Sequence, residues 1–181
     1  MDIGRAQLEI RRRFHGGAYG QLVSGLLWLA SAALATWGSP RSAIATLVIG
    51  GFFIFPATEV LVRLVGRQAP MDAANPLTHL GMQVAFVLPL SMPLLVPIAR
   101  YNLGLFYPAM MVLLGAHYLP FVFLYGMRMF VGLTALLVGG GITLAMNRSD
   151  SFSAGAWYTA IVLVIFAAVG AVTASRAARR P

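Results

Sequence analysis

The stretch Met111–Phe130, MVLLGAHYLPFVFLYGMRMF, is apolar enough to lie in lipid, yet it carries a histidine, two tyrosines, an arginine and a proline. On a helix, His117, Phe121, Tyr125 and Arg128 fall at i, i+4, i+8 and i+11 and share one face. A face turned to acyl chains has no use for such groups, whereas one turned to the interior of a helix bundle does. The segment reads as an inward-facing transmembrane helix.

The composition extends that reading to the whole chain. Of 181 residues, 59% are hydrophobic and only 10% are charged, against roughly 25% charged in a soluble domain. Long apolar runs with few charges are the mark of an integral membrane protein. There is no cysteine, which excludes disulfides, thiolate metal sites and covalently attached haem. The net charge of +8 comes from thirteen arginines and no lysine. Because these arginines sit between apolar runs, they point to membrane orientation and anionic lipid head groups as partners, and not to nucleic acid.

In chain order, residues 1–17 form a basic leader, expected to be a short amphipathic helix at the membrane surface. Six apolar runs follow, at about 18–37, 42–65, 78–99, 104–125, 129–146 and 156–175, and residues 176–181 make a basic tail. The second run is closed by Gly66. Each run is long enough to cross a hydrocarbon core of about 30 Å at about 1.5 Å per residue. The expected fold is an all-α bundle of six transmembrane helices with short loops.

An even number of spans puts both termini on one side. That side holds Arg5, Arg11, Arg12, Arg13, Arg63, Arg67, Arg128, Arg176, Arg179 and Arg180; the other holds Arg41, Arg100 and Arg148. The positive-inside rule therefore places both termini in the cytoplasm. The opposite ends gather Trp37, Tyr101, Phe106, Tyr107, Trp157 and Tyr158, as an interfacial aromatic belt would. Small residues recur at four-residue spacing as Gly16, Gly20 and Ser24 and as Gly17, Gln21 and Gly25; Gly132 and Gly139–Gly141 thin the fifth run. Such faces let helices approach closely, within the bundle or in a homo-oligomer.

The segments SGLLWLASAAL (24–34), IGGFFIFP (49–56), MQVAFVLPL (82–90) and GAHYLPFVFLYGMR (115–128) resemble a family of small, uncharacterised bacterial multi-pass membrane proteins, catalogued as a domain of unknown function. The resemblance implies the membrane architecture and carries no activity and no site residues.

Candidate chemistry comes from polar residues inside the runs. Glu59 is the one acidic residue within a span; Arg63, four residues on, offers an intrahelical pair, and the sharper reading is a proton- or cation-binding carboxylate. His79, Gln83, Tyr125 and Arg128 belong to the cytoplasmic third, with His117 somewhat deeper. Together with Glu59 and Arg63 they either line a pocket open to the cytoplasm or snorkel separately to the interface. A haem between His79 and His117 is disfavoured by their unequal depths, and no cofactor or metal is expected. Pro56, Pro89, Pro93, Pro97 and Pro120 each interrupt a helix, which either kinks it for packing or frees carbonyls beside a binding site, as in transporters.

Enzyme signatures are absent: there is no H-E-x-x-H, no paired intramembrane aspartates and no lysine. The leading expectation is a small permease or channel-like subunit of a bacterial inner membrane, its substrate unspecified. In it Glu59 binds a proton or cation, His117 and Tyr125 orient the substrate, and Arg63 and Arg128 contact anionic groups. The rivals are a lipid-head-group-binding or lipid-modifying protein, which would use the same Arg and His residues, and an accessory protein without a substrate.

Overall fold

A computed structural model describes residues 2–65, 69–147 and 151–178, with side chains through Ala174. Gly66, used above to close the second run, and Arg67, Arg148, Arg179, Arg180 and the side chain of Arg176, used above to orient the chain, lie outside the described residues. Among the described residues all regular structure is helical: α1 (Ile3–Arg13), α2 (Ala18–Trp37), α3 (Pro40–Gly51), α4 (Ile54–Leu64), α5 (Leu77–Ser91), α6 (Leu95–Tyr101), α7 (Phe106–Tyr118), α8 (Phe121–Tyr125), α9 (Met129–Met146) and α10 (Ala154–Ala178), with short 3-10 turns at His15–Gly17, Met92–Leu94 and Leu103–Leu105. Five helical stretches, His15–Trp37, Leu77–Tyr101, Leu103–Tyr125, Met129–Met146 and Ala154–Ala174, are long and apolar enough to cross a membrane, and α3 with α4 makes a sixth if taken as one span. This is the helical membrane bundle that the hydropathy pattern implies.

One span departs from a simple rod. The run 42–65 begins earlier, at Pro40, because Ser39 and Ser42 cap each other's backbone N–H groups (3.1 and 3.3 Å) and proline suits the first helical turn. It then bends by 60° between α3 and α4. Pro56 sits in the first turn of α4, so no N–H answers the carbonyl of Phe52. In the third span, Pro89 lies inside α5, Pro93 in the 3-10 turn and Pro97 in α6. Pro120 stands at the break between α7 and α8.

Two close antiparallel pairs form the core. α2 packs along α10 and α7 along α9, while α3 and α4 lean on α2 and α5 leans on α7 and α8. Small residues set both contacts. A Cβ at Gly25 would stand 3.0 Å from Val164 Cγ2, and one at Gly115 would stand 2.7 Å from Val138 Cγ2 and 3.2 Å from its backbone nitrogen. The four-residue stripe on α2 thus serves packing inside the chain. At Gly139, by contrast, a Cβ would meet nothing within 4 Å.

The aromatic belt needs correcting. Trp37 and Tyr101 are strongly exposed, but Phe106 and Tyr107 are fully buried and belong to the core. Trp157 is half-buried; its indole N–H donates to Thr36 Oγ1 (3.0 Å) and joins the far ends of α2 and α10.

Gly115→Leu should push α9 off α7 and cost about 1–3 kcal/mol of stability, the usual range for overpacking. Gly139→Leu, pointing into open space, should leave stability unchanged. Thermal unfolding in detergent compares the two.

Candidate functional site

The seven polar residues that the sequence proposes as a site are dispersed. Glu59 is half-buried and pairs with Arg13 Nη2 at 3.4 Å, a partner from α1 and not the Arg63 of its own helix. Arg63 and Arg128 are exposed, as are His79 and Gln83 on α5. His117 is half-buried, faces the backbone of Val84, and lies edge-on to the rings of Tyr118 and Phe121 at 5.6 and 5.3 Å. Tyr125 is buried and stacks on Phe130, with ring centres 5.6 Å apart. No hydrogen bond or ion pair joins any two of the seven. Topology separates Glu59 and Arg63 from the other five, because α4 packs on α2 whereas α5 packs on α7 and α8. The expected stripe persists from His117 through Phe121 to Tyr125, then ends where Gly126 takes a left-handed conformation (φ 60°) and Arg128 turns outward.

What the leader does is more specific than its composition suggests. A tight turn of left-handed residues, His15, Gly16 and Gly17, folds α1 back beneath the bundle, where Ala6 and Ile10 are buried. Gln7 and Arg11, one helical turn apart, then reach the end of α8. Gln7 Nε2 donates to the Phe123 carbonyl (2.6 Å), Arg11 Nε to the Tyr125 carbonyl (2.8 Å) and Arg11 Nη2 to the Gly126 carbonyl (3.1 Å). The last carbonyls of any helix lack partners within it, and a cation is favoured at that end. Asn75 ties in the loop before α5: its Nδ2 donates to the Ala6 carbonyl (3.1 Å) and to Glu9 Oε2 (3.2 Å), and its Oδ1 accepts from Leu77 N–H (3.0 Å). Together with Arg13–Glu59, these bonds make α1 a collar joined to α4, α5 and α8.

Above the collar runs a seam of buried polar side chains between α2 and α7–α8. Near the far end, Ser31 and Tyr107 share a hydrogen bond of 2.7 Å, and Ser31 Oγ also donates to the Ala43 carbonyl (3.0 Å). Midway, the Tyr118 hydroxyl faces Ser24. At the collar, Gly17 lies against the ring of Tyr125, where a Cβ would be 3.2 Å from Cε2. Gln21 falls between Gly17 and Ser24 along α2, and its Oε1 lies toward α10, 3.7 Å from where a Cβ at Gly170 would stand. It is 2% exposed, and both Nε2 and Oε1 lack a hydrogen-bond partner. An unpaired buried polar group costs about 1–3 kcal/mol. Apolar packing fills the rest, with Trp28 against Tyr107 and Phe130 between Tyr118 and Tyr125. Among the described residues, the polar side chains named along the seam are all uncharged.

Sequence reasoning missed Ser31 and Tyr118, took Tyr107 for an interfacial aromatic, and took Gln21 and Ser24 for a packing stripe. The signal was present: Gln21, Ser24 and Ser31 recur at helical spacing inside an apolar run. Their tyrosine partners lie on another helix, beyond what periodicity reveals.

These features define a membrane-embedded helical bundle closed at one end by its own N-terminal helix. The chain belongs to a family of unknown function (DUF7010), whose model matches residues 3–173. No curated protein and no solved structure matches it. The resemblance read from the sequence, to an uncharacterised domain family, is thereby borne out.

Arg11→Ala removes two charge-assisted bonds, a part-buried one to the Tyr125 carbonyl and an exposed one to the Gly126 carbonyl, and should cost about 1.5–3 kcal/mol. Arg12→Ala, one residue on and exposed, should cost nothing measurable. The thermal midpoints of the two variants in detergent test the distinction.

Proposed function

We propose that this protein is a small permease or channel-like subunit of a bacterial inner membrane, with both termini in the cytoplasm, and that its solute pathway is the α2–α7 seam. The observation that carries the reading is Gln21, an amide with both polar atoms unpaired and buried just inside the collar. Polar groups are kept inside membrane bundles, at a cost in stability, where something polar must pass or bind. The other groups along the seam, Ser24, Ser31, Tyr107, Tyr118 and Tyr125, are neutral hydrogen-bonding side chains. A lining without charge suits a small uncharged solute and disfavours ions, for which the surroundings supply no counter-charge.

In this reading α1 is the closing element. It contacts the seam's cytoplasmic end through the Tyr125 carbonyl, and its junction with α2 lies against the Tyr125 ring. Glu59 acts through its pair with Arg13 as part of the closure, in place of the proton- or cation-binding role expected from the sequence. The bend between α3 and α4 and the interrupted α5–α6 give the flanking spans points at which to move.

The test is solute flux into proteoliposomes, followed by light scattering after a urea or glycerol gradient is imposed. The wild-type protein should speed swelling over protein-free liposomes. Gln21→Leu should return it to the protein-free rate while raising stability by about 1–3 kcal/mol, because the unpaired amide is gone. Wild-type swelling no faster than that of empty liposomes, or a Gln21→Leu variant that conducts normally, would reject the seam as a pathway.

A further inference from the structure

A glycine buried inside a membrane helix usually marks a close approach of two backbones. Among the described residues, a Cβ at Gly25, Gly115, Gly141 or Gly155 would stand 3.0 Å or less from a neighbouring atom, so packing accounts for each. Gly170, buried within α10, is different. A Cβ there would lie 3.4 Å from Met129 Cε, 3.6 Å from Ala18 Cβ and 3.7 Å from Gln21 Oε1, all ordinary contacts. Nor is its backbone left-handed, as it is at Gly16, Gly17 and Gly126. Alanine, the better helix former, would fit.

Glycine at 170 therefore keeps room for one carbon-sized group between α2 and α10, and Gln21 borders that room. Gln21 is 2% exposed, and neither its Nε2 nor its Oε1 has a hydrogen-bond partner. Two independent observations meet at one point: a glycine that packing does not require, and a buried amide that nothing pairs. A nitrogen at the Cβ position, moved toward Gln21 by about 1 Å, would fall within hydrogen-bond range of Oε1.

The chemistry of a partner follows from the amide itself. Glutamine offers an acceptor and two donors side by side in one plane. Its complement is a group with an N–H beside a C=O, which answers both atoms at once through two parallel hydrogen bonds. Width selects the same class, because a flat amide enters a space one carbon wide edge-on, whereas a polyol with tetrahedral carbons does not. The other groups that a Cβ at 170 would meet, Ala18 Cβ and Met129 Cε, are apolar and leave recognition to Gln21. A site built to hydrogen-bond one group rejects analogues that leave its own polar atoms unpaired.

We infer that Gln21 and Gly170 form a binding site for urea or a simple carboxamide. Gln21 Oε1 accepts from the solute N–H, Gln21 Nε2 donates to the solute carbonyl, and Gly170 keeps the space that the flat group enters. The site rests on the solute pathway proposed above and deepens it by naming the class of solute.

Proteoliposomes are given equal gradients of urea, acetamide or glycerol, and swelling is followed with the protein-free rate subtracted. Wild type should pass urea and acetamide at least about tenfold faster than glycerol. Gly170→Ala, whose methyl fills the space, should bring urea and acetamide entry down to the protein-free rate with no fall in thermal midpoint. Gly139→Ala, facing open space, should keep both wild-type rates. Glycerol entry as fast as urea, or a Gly170→Ala variant that passes urea normally, overturns the amide site and leaves the pathway standing. Loss of urea entry together with a lowered thermal midpoint also overturns it, since Gly170 would then be a packing residue. A wild type that passes none of the three solutes overturns site and pathway together.

Discussion

A helix that ends within a membrane bundle leaves its last carbonyls without partners, and hydrocarbon offers none. In this protein α8 ends at Tyr125, five residues after the break at Pro120; α1 supplies donors to the Tyr125 and Gly126 carbonyls through Arg11, and Gln7 adds a second donor to the Phe123 carbonyl. Much of the surrounding architecture follows from that contact. It requires the chain to reverse sharply between α1 and α2, which the run of left-handed residues at His15, Gly16 and Gly17 permits. It favours glycine at position 126, where the backbone turns left-handed (φ 60°). It also carries Arg13 to Glu59 and so gives a partner to the acidic group that the apolar bundle would otherwise leave exposed to lipid.

The collar and the seam are complementary uses of polarity. At the collar, formal charge is present and matched: guanidinium to carbonyl, guanidinium to carboxylate, amide to carboxylate. In the seam, charge is excluded and the groups are neutral, with the pairing complete at Ser31–Tyr107 and incomplete at Gln21. A matched polar network makes a region rigid, whereas an unmatched one favours rearrangement. The closed end is thus the better fastened, and the unsatisfied group sits just inside it.

Several features of the chain are legible without coordinates. The apolar runs mark the spans because burial in lipid must satisfy backbone and side chain over one continuous stretch, and that is a local property. Prolines locate the interruptions for the same reason. The direction in which a residue faces is different. Tyr107 and Tyr101 are both aromatic and near the same end, yet one is buried and the other is 88% exposed. Glu59 has a good partner four residues away and takes one 46 residues away instead.

By itself, then, the sequence determined that this is a helical membrane protein, where its helices run, where they break and which polar residues its spans contain. Tertiary structure alone decided who meets whom: Arg11 at the end of α8, Arg13 at Glu59, and the serines of α2 opposite the tyrosines of α7. The physical reason is that hydropathy and backbone chemistry act along the chain over a few residues. The pairing of polar groups in a bundle depends on which helices pack together, and small residues such as Gly25 and Gly115 set that packing across long separations in sequence.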